Sequence, residues 1–421
     1  NLRLYQKKYH PDIAMSYDSI GITYAKLGDY NQSLICLQIA LEIRQKVYDE
    51  EHPNVAMSYN SIGNTFESLG EYNTAYVYYH KSLEIRQKIY REDHPAIADS
   101  YNNIGNTLDR LDEYKKALVY KLKSLEIFKK FYKEEDHPNI TNSYNNLGIT
   151  FSKLGDYKKA LEHYQKALEI YQKIYKEDNH PDIATSYNNI GATYNKLGEY
   201  NKALNYYQKS LKIAQKIYKE DHHPDIAASY NNIGAIYESL EEYNNALEYK
   251  LKSLEIFQKL YPENLHPDVA TSYNNIGATY NSLGQYKQAL ENYQKALDIR
   301  QKIYKEDHPL LSSSYNNIGL TYYILDEFEN ARYNYQKSLE IRQKIYREDH
   351  PAIADSYNNI GMTLFSLGEY KKALEYYQKA LEIFLKIYEE DHPNIVTLNL
   401  NIENTLNKLI ECNQDQARKC Q

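Results

Sequence analysis

The sequence predicts an all-α solenoid of about nine helical hairpins, and three observations carry this prediction. A His-Pro pair at His10 and Pro11 returns nine times, at spacings of 42 or 43 residues. Each interval holds two stripes of apolar residues at helical spacing. All 15 glycines and ten of the 11 prolines belong to this repeat. A period of this size indicates stacked units, none of which buries its apolar face alone.

The His-Pro pairs set the boundaries, and we expect one array over residues 1–421. The predicted repeats are 11–52, 53–94, 95–137, 138–180, 181–223, 224–266, 267–308, 309–350 and 351–392, with a degenerate capping repeat at 393–421. In the capping repeat Glu403 replaces the glycine, but an apolar stripe persists at Leu398, Ile402, Leu406 and Leu409. The chain starts without Met, and Leu2 to Tyr5 resemble the last turn of an earlier helix, so we expect a piece of a longer protein.

The repeat from Pro181 to Tyr218 illustrates the predicted hairpin. Pro181 suits the first position of a helix, where a missing N–H costs nothing. Gly198 suits the helix end, because glycine adopts the left-handed conformation readily. Apolar residues recur between them at intervals of three and four, and again from Tyr200 to Tyr218. Each repeat therefore predicts two antiparallel helices, of which the second is longer.

Small residues mark where the two helices approach closely. A glycine inside the first helix costs about 1 kcal/mol relative to alanine, so close packing must offset that cost. Gly191 and Ala203 are the small residues of the first and second helices in one repeat. The extra residue of the 43-residue repeats lies in the loop before His-Pro. Tyr132 and His137 are five residues apart there, whereas Tyr90 and His94 are four apart.

Composition excludes several classes of function. The net charge of −7 provides no basic field for nucleic acid. No apolar run approaches the roughly 20 residues of a membrane span, so we expect no membrane insertion. The three cysteines fit neither a disulfide framework nor a zinc motif. These features favour a reducing compartment, most simply the cytoplasm.

No motif predicts catalysis, a metal site or a cofactor. The sequence contains no phosphate-binding loop, no nucleophile elbow and no His-Glu pair at metal spacing. Histidines of stacked units would lie about 10 Å apart, too far to share a zinc ion. We therefore interpret them as residues at helix starts. The 48 tyrosines fall mostly on packing positions, and no tryptophan is present.

The repeat resembles the tetratricopeptide (TPR) pattern of a large residue, Leu-Gly, Tyr, Ala, an aromatic residue and Ala. The matching residues of one repeat are Tyr187, Ile190, Gly191, Tyr194, Leu197, Gly198, Tyr200, Ala203, Tyr207 and Ser210. The period exceeds the ordinary one of about 34 residues, and residues 338–351 combine Leu-Glu-Ile-Arg-Gln-Lys with Asp-His-Pro. This longer form resembles the repeats of kinesin light chain and nephrocystin-like proteins. The resemblance implies a right-handed TPR superhelix whose first helices line a concave groove.

The main functional candidate is a series of asparagines in the first helices. An asparagine stands three residues before the helix glycine in repeats two to nine, with Asp18 in the first repeat, and another stands two residues before it in repeats three to nine. Asparagine is disfavoured inside a helix by about half a kcal/mol, so its recurrence needs a reason. By the resemblance, the first of each pair points into the groove, where its amide can donate to and accept from the backbone of an extended peptide. A hydrogen bond to the neighbouring repeat is the alternative. The first members are Asn60, Asn102, Asn145, Asn188, Asn231, Asn274, Asn316 and Asn358.

Residues around these asparagines vary, as we expect of a specificity surface. Glu67 and Asp109 make the second and third repeats acidic, whereas the last two repeats are apolar at Leu320, Tyr323, Met362 and Phe365. The predicted groove contacts beyond the asparagines are Asn64, Asn106, Lys153, Asn195 and Lys196. The cations with which chaperone-type TPR proteins hold a terminal carboxylate are missing, so we do not expect that function.

The sequence thus predicts a non-enzymatic scaffold or adaptor with protein or peptide partners. If it is a kinesin light chain, kinesin heavy chain or cargo would be the partner, although the expected coiled-coil heptads are missing. Two alternatives stay open. The array is the regulatory or recognition arm of a larger enzyme or signalling protein, or it is an architectural rod that self-associates.

Overall fold

A computed structural model describes residues 9–133, 136–175, 179–219 and 222–419 of the chain. The first helices of the repeats are α1 (Pro11–Lys26), α3 (Pro53–Ser68), α5 (Pro95–Arg110), α7 (Pro138–Lys153), α9 (Pro181–Lys196), α11 (Pro224–Ser239), α13 (Pro267–Ser282), α15 (Pro309–Ile324) and α17 (Pro351–Ser366). The second helices are α2 (Tyr30–Val47), α4 (Tyr72–Ile89), α6 (Tyr114–Phe131), α8 (Tyr157–Ile174), α10 (Tyr200–Ile217), α12 (Tyr243–Leu260), α14 (Tyr286–Ile303), α16 (Phe328–Ile345) and α18 (Tyr370–Ile387). The chain ends with α19 (Pro393–Lys419). The predicted all-α architecture of paired helices is confirmed. Leu2 to Tyr5 and Cys420 lie outside the described residues.

The histidine of each His-Pro pair caps a first helix with its side chain. The Nδ1 atom of His137, for example, accepts the backbone N–H of Asn139 at 3.1 Å, and all ten His-Pro histidines make this bond at 3.1 to 3.3 Å. The bond satisfies one of the N–H groups that the first turn leaves without a partner. The histidine is therefore a structural residue that fixes where each repeat begins.

The turn between the two helices requires a left-handed residue. Six repeats place glycine there, with φ between 71° and 82°. The other three use Asp112, Glu241 and Asp326, with φ of 60°, 61° and 58°. A residue with a Cβ pays roughly 1–2 kcal/mol in this conformation. The geometry of the turn is thus preserved even where glycine is absent.

The chain divides into two compact units, Asn1–Ile217 and Tyr218–Gln421. Within each unit, a first helix packs against the second helix of its own repeat and, after the opening repeat of the unit, against that of the preceding repeat. In the first unit one core cluster joins Tyr79 and Leu83 of α4 to Ile97 and Ile104 of α5. In the second unit another joins Tyr335 of α16 to Ile360 of α17. The core is therefore a row of similar interfaces between repeats.

The glycine of each first helix lies directly against the second helix of its own repeat. A Cβ added at Gly148 would come within 2.6 Å of the ring of Tyr164, and one at Gly191 within 3.1 Å of Tyr207. Both tyrosines are buried. This close approach is the reason for glycine inside the helix, as the sequence predicts.

Among the described residues, no helix is both long enough and apolar enough to cross a membrane.

Candidate functional site

The paired asparagines form a hydrogen-bonded ladder that joins successive first helices in the first unit. In each step the second asparagine of a repeat donates its Nδ2–H to the Oδ1 atom of the first asparagine in the preceding repeat. Asn103 donates to Asn60 at 2.9 Å, and Asn146 donates to Asn102 at 2.9 Å. Asn189 likewise donates to Asn145 at 3.0 Å. We call these residues and their equivalents the asparagine ladder.

The ladder has the same form in the second unit. The bonds run from Asn275 to Asn231, from Asn317 to Asn274, from Asn359 to Asn316 and from Asn401 to Asn358, all at 3.2 Å. The last donor lies on α19, so the degenerate repeat keeps the ladder although it lacks the glycine. In this unit each first helix is therefore hydrogen-bonded to the next one through the same two positions.

The geometry defines what the ladder amides can still do. These asparagines are half-buried. The first asparagine uses its carbonyl oxygen as acceptor in the ladder, and an amide NH₂ group can donate two hydrogen bonds. The NH₂ group of Asn358 already donates to Met362 Sδ at 3.7 Å. The hydrogen bond between repeats, which the sequence leaves as an alternative, is present. Contact with a peptide remains a prediction for these residues, including Asn188.

Asn64, a predicted groove residue, is held by a buried tyrosine. The hydroxyl of Tyr79 donates to Asn64 Oδ1 at 2.8 Å and lies 2.7 Å from Glu67 Oε2. Burial and the neighbouring Glu67 carboxylate raise the pKa of Tyr79 above its ordinary value. The phenol therefore stays protonated, and its hydroxyl holds the Glu67 side chain close to the second helix of the repeat.

The acidic residue of the third repeat is neutralised by a buried lysine. Lys121 Nζ lies 2.5 Å from Asp109 Oδ2 and donates to Thr150 Oγ1 at 3.0 Å. Lys121 and Asp109 are 2% and 5% exposed. Burial lowers the pKa of Lys121, and the Asp109 carboxylate opposes that shift. Asp109 therefore does not present a free negative charge to a ligand, unlike the acidic surface that the sequence suggests.

An equivalent pair lies three repeats later. Lys250 Nζ lies 2.5 Å from Glu238 Oε1 and donates to Thr279 Oγ1 at 3.0 Å. Burial lowers the pKa of Lys250, again against the attraction of the carboxylate. Sequence reasoning missed both lysines, although a signal exists. In most other repeats the slot opposite the helix glycine holds a tyrosine, as at Tyr79.

The remaining predicted groove residues differ in accessibility. Asn106 and Asn195 are half-buried, whereas Lys153 and Lys196 are exposed. Lys153 Nζ donates to the backbone oxygen of Asp109 at 3.1 Å and lies over the ring of Tyr114. The first unit therefore presents lysines beside a ladder whose neighbouring acidic groups are already paired.

The first repeat carries an acid at the ladder position. Asp18 forms a buried ion pair with Arg44, whose Nη1 donates to Ser58 Oγ at 2.6 Å. Burial raises the pKa of Asp18, and the Arg44 guanidinium opposes that shift.

In the described part of the chain, no three His, Cys, Asp or Glu side chains are grouped so as to hold a metal ion.

Comparison with known families identifies the repeat. Seven matches to the tetratricopeptide repeat family model cover residues 12–75, 62–130, 122–173, 176–261, 268–344, 310–386 and 352–418. The chain therefore belongs to the tetratricopeptide repeat family. Its repeats are those of a protein-interaction scaffold, because each stacked unit adds to an extended binding surface. A search of curated proteins finds no match to the sequence.

Solved structures share the fold at low sequence identity. The apo form of the quorum sensor NprR from B. thuringiensis has a TM-score of 0.58 and 17% identity, over 88% of this chain and 98% of that one. A Signal Transduction ATPase with Numerous Domains (STAND) protein with a tetratricopeptide repeat sensor, from Pyrococcus horikoshii, has a TM-score of 0.57 and 19% identity. That match covers 86% of this chain and 54% of the other. BtubC (BKLC) from P. vanneervenii has a TM-score of 0.48 and 24% identity, over 56% of this chain and 93% of that one.

Proposed function

We propose that the protein is a non-enzymatic, cytoplasmic scaffold that binds extended peptide segments of partner proteins along the asparagine ladder. The observation that carries this proposal is the repetition of one amide geometry at every step of the ladder in both units. An extended peptide offers backbone carbonyls at regular intervals, and the NH₂ groups of first asparagines such as Asn102 and Asn274 offer donors to them. Recognition of the backbone gives affinity without demanding one sequence.

Side chains around the ladder would supply specificity. In the first unit Lys153 and Lys196 favour acidic residues of a ligand, because Asp109 is already paired with Lys121. In the second unit Leu320 is 42% exposed, and Tyr323 lies beside it in the same helix. The two units would therefore prefer different ligand segments, acidic in one and apolar in the other.

The ladder allows a matched test, because the same bond can be removed by substituting either its donor or its acceptor. Asn102→Ala and Asn146→Ala both remove the 2.9 Å bond between these residues. Only Asn102→Ala also removes the NH₂ group assigned to the ligand. Peptides selected on the wild-type protein from a random 12-residue phage library would be measured against both variants by fluorescence anisotropy. We expect Asn102→Ala to weaken binding about tenfold, which corresponds to about 1.4 kcal/mol, and Asn146→Ala to weaken it much less.

A loss of stability without a loss of binding would contradict the proposal. If both variants melt earlier by the same amount and bind the peptides as the wild-type protein does, the ladder only joins repeats. Circular dichroism at 222 nm reports whether the helices persist in each variant, so that loss of binding is not confused with loss of folding.

A second candidate is a recognition arm within a larger signalling protein. The observation that favours it is the fold shared with the P. horikoshii STAND protein, of which this chain matches 54%. An antibody to the array tests this candidate on a blot of the endogenous protein. A polypeptide much larger than the 49.6 kDa array is expected. A kinesin light-chain role would instead require capture of kinesin heavy chain by the purified protein.

A further inference from the structure

The exposed face of α6 carries two large apolar residues that most other repeats lack. Val119 and Leu122 are 52% and 47% exposed. Four other second helices place glutamate at the position of Val119, namely Glu162, Glu248, Glu291 and Glu375, and six place glutamine at that of Leu122, namely Gln38, Gln165, Gln208, Gln294, Gln336 and Gln378. These helices pack in the same way as α6 does. Packing within the array therefore does not explain the apolar pair.

The apolar surface continues onto α4 of the preceding repeat. Val77 is equivalent to Val119 and is 50% exposed. His80, three residues later, shares the face of Val77 on α4. Its ring meets the ring of Tyr120 of α6 edge-on, with centroids 6.0 Å apart. The exposed faces of α4 and α6 are therefore continuous, and they place Val77, Val119 and Leu122 on one surface.

A cleft of about 780 Å³ lies beside this surface, toward the C-terminal ends of α4 and α6. Ile97 and Tyr101 of α5 and Ile127 of α6 belong to its lining. Lys123, which follows Leu122 in α6, lines the cleft as well. An amphipathic helix is the element that buries a row of apolar residues in a groove of this kind. We call the three exposed apolar residues and this cleft the α4–α6 groove, after the helices that border it.

The charge along the groove selects the sign of a ligand. Helix α6 contains six lysines and one glutamate, in a chain whose net charge is −7. Three of these lysines pair with acidic residues of this unit, namely Lys116, Lys121 and Lys130. The other three, Lys115, Lys123 and Lys129, are exposed and form no ion pair with another described residue. The groove is therefore basic along α6, and an acidic segment complements it.

We propose that the α4–α6 groove is a docking site for an amphipathic helix of a partner protein, with leucine or isoleucine on one face and aspartate or glutamate along its edges. The apolar face covers Val77, Val119 and Leu122, while the carboxylates pair with lysines of α6. The asparagine ladder joins first helices, whereas this groove lies between second helices. The protein then holds two kinds of segment, an extended one and a helical one.

The probe for the test is a designed helical peptide of about 18 residues, with leucine at positions i, i+3, i+4 and i+7 of one face and glutamate beside them. A control peptide has lysine in place of every glutamate. The receptor variant is Val119→Glu with Leu122→Gln, because α8 has Glu162 and Gln165 at these positions. Its matched control is Leu251→Gln on α12, where Leu251 holds the position of Leu122 and is 43% exposed. Binding to the full chain is measured by fluorescence anisotropy.

We expect the acidic probe to bind the wild-type protein and Leu251→Gln saturably, and to bind the double variant at least about tenfold more weakly. The lysine control peptide should also bind the wild-type protein at least about tenfold more weakly than the probe. Raising the salt concentration from about 50 to about 500 mM should weaken binding of the probe, because salt screens exposed charge pairs. Circular dichroism checks that the double variant keeps its helices.

Absence of binding to the wild-type protein overturns the proposal, as does equal binding to the double variant or equal binding of the lysine control peptide. Two other occupants of the groove have outcomes of their own. Sedimentation with phosphatidylserine vesicles that the double variant abolishes would show a membrane surface there, and a dimer in light scattering that it abolishes would show a second copy. Both outcomes contradict a partner helix. Asn102→Ala leaves the groove intact, so the ladder and the groove proposals fail separately.

Discussion

The imidazole ring of His180 stacks on the phenol ring of Tyr175, with centroids 3.4 Å apart and planes within 9°. The same imidazole accepts the N–H of Asp182 through Nδ1. One side chain thus caps a helix and contacts the end of the preceding repeat. Repeats with an additional loop residue keep this pair, as Tyr132 and His137 do.

A first prediction separates the two roles of the His-Pro histidine, the N-cap hydrogen bond and the stacking on tyrosine. In His350→Phe the ring can still stack on Tyr346, but the acceptor for Ala352 N–H is lost. We expect a loss of about 1 kcal/mol, as for other N-caps. Deuterium exchange of the Ala352 amide should be faster than in the wild-type protein. His350→Asn keeps an acceptor and should keep the amide protected; equal exchange in all three proteins would contradict the capping role.

The buried lysine pair gives a second prediction. Lys121→Met leaves the Asp109 carboxylate buried without its counter-charge, and breaking such a pair costs about 3–5 kcal/mol. Urea denaturation followed by circular dichroism measures the loss. Lys121→Tyr with Asp109→Asn should recover most of it, because the repeat with Tyr207 has Asn195 at the corresponding position. Failure of this double variant to recover stability would show that the slot needs a cation.

The close approach at the helix glycine gives a third prediction. Alanine at Gly148 would gain about 1 kcal/mol in helix propensity, but its Cβ meets the Tyr164 ring at 2.6 Å. Overpacking of this kind costs about 1–3 kcal/mol, so we expect a net loss of stability. The control is the same substitution in a Tyr164→Ala background. There Gly148→Ala should be neutral or stabilising, and an unchanged penalty would show that the ring is not the cause.

Acid sensitivity gives a fourth prediction. His163 stacks on Phe151, its Nδ1 atom is buried without a hydrogen bond, and burial lowers its pKa below the ordinary value. Below about pH 6.5 the unfolded chain therefore binds a proton that the folded chain refuses, so this residue lowers stability as the pH falls. The fall in melting temperature between pH 7.5 and 5.5 should be smaller in His163→Phe. His222→Phe, at an exposed position, should behave as the wild-type protein does.

The periodic features of the fold could be predicted from sequence because they depend on local rules. Helix starts at Pro181 and its equivalents, the turn glycines and the close approach of the two helices at the first-helix glycine follow from backbone preferences and helical spacing. The hydrogen bond between Asn102 and Asn146 could not be predicted, because it depends on how far one first helix is displaced relative to the next. The burial of Lys121 could not be predicted either, since only packing brings Asp109 and Thr150 around its ammonium group.

Each ladder bond uses the same donor and the same acceptor. Asn146 reaches Asn102 in the same way as Asn317 reaches Asn274, at sequence separations of 44 and 43 residues. Deletion or duplication of one whole repeat by recombination would therefore leave matching partners at the new junction. Such a chain can change its number of repeats, and so its reach, without any compensating point mutation.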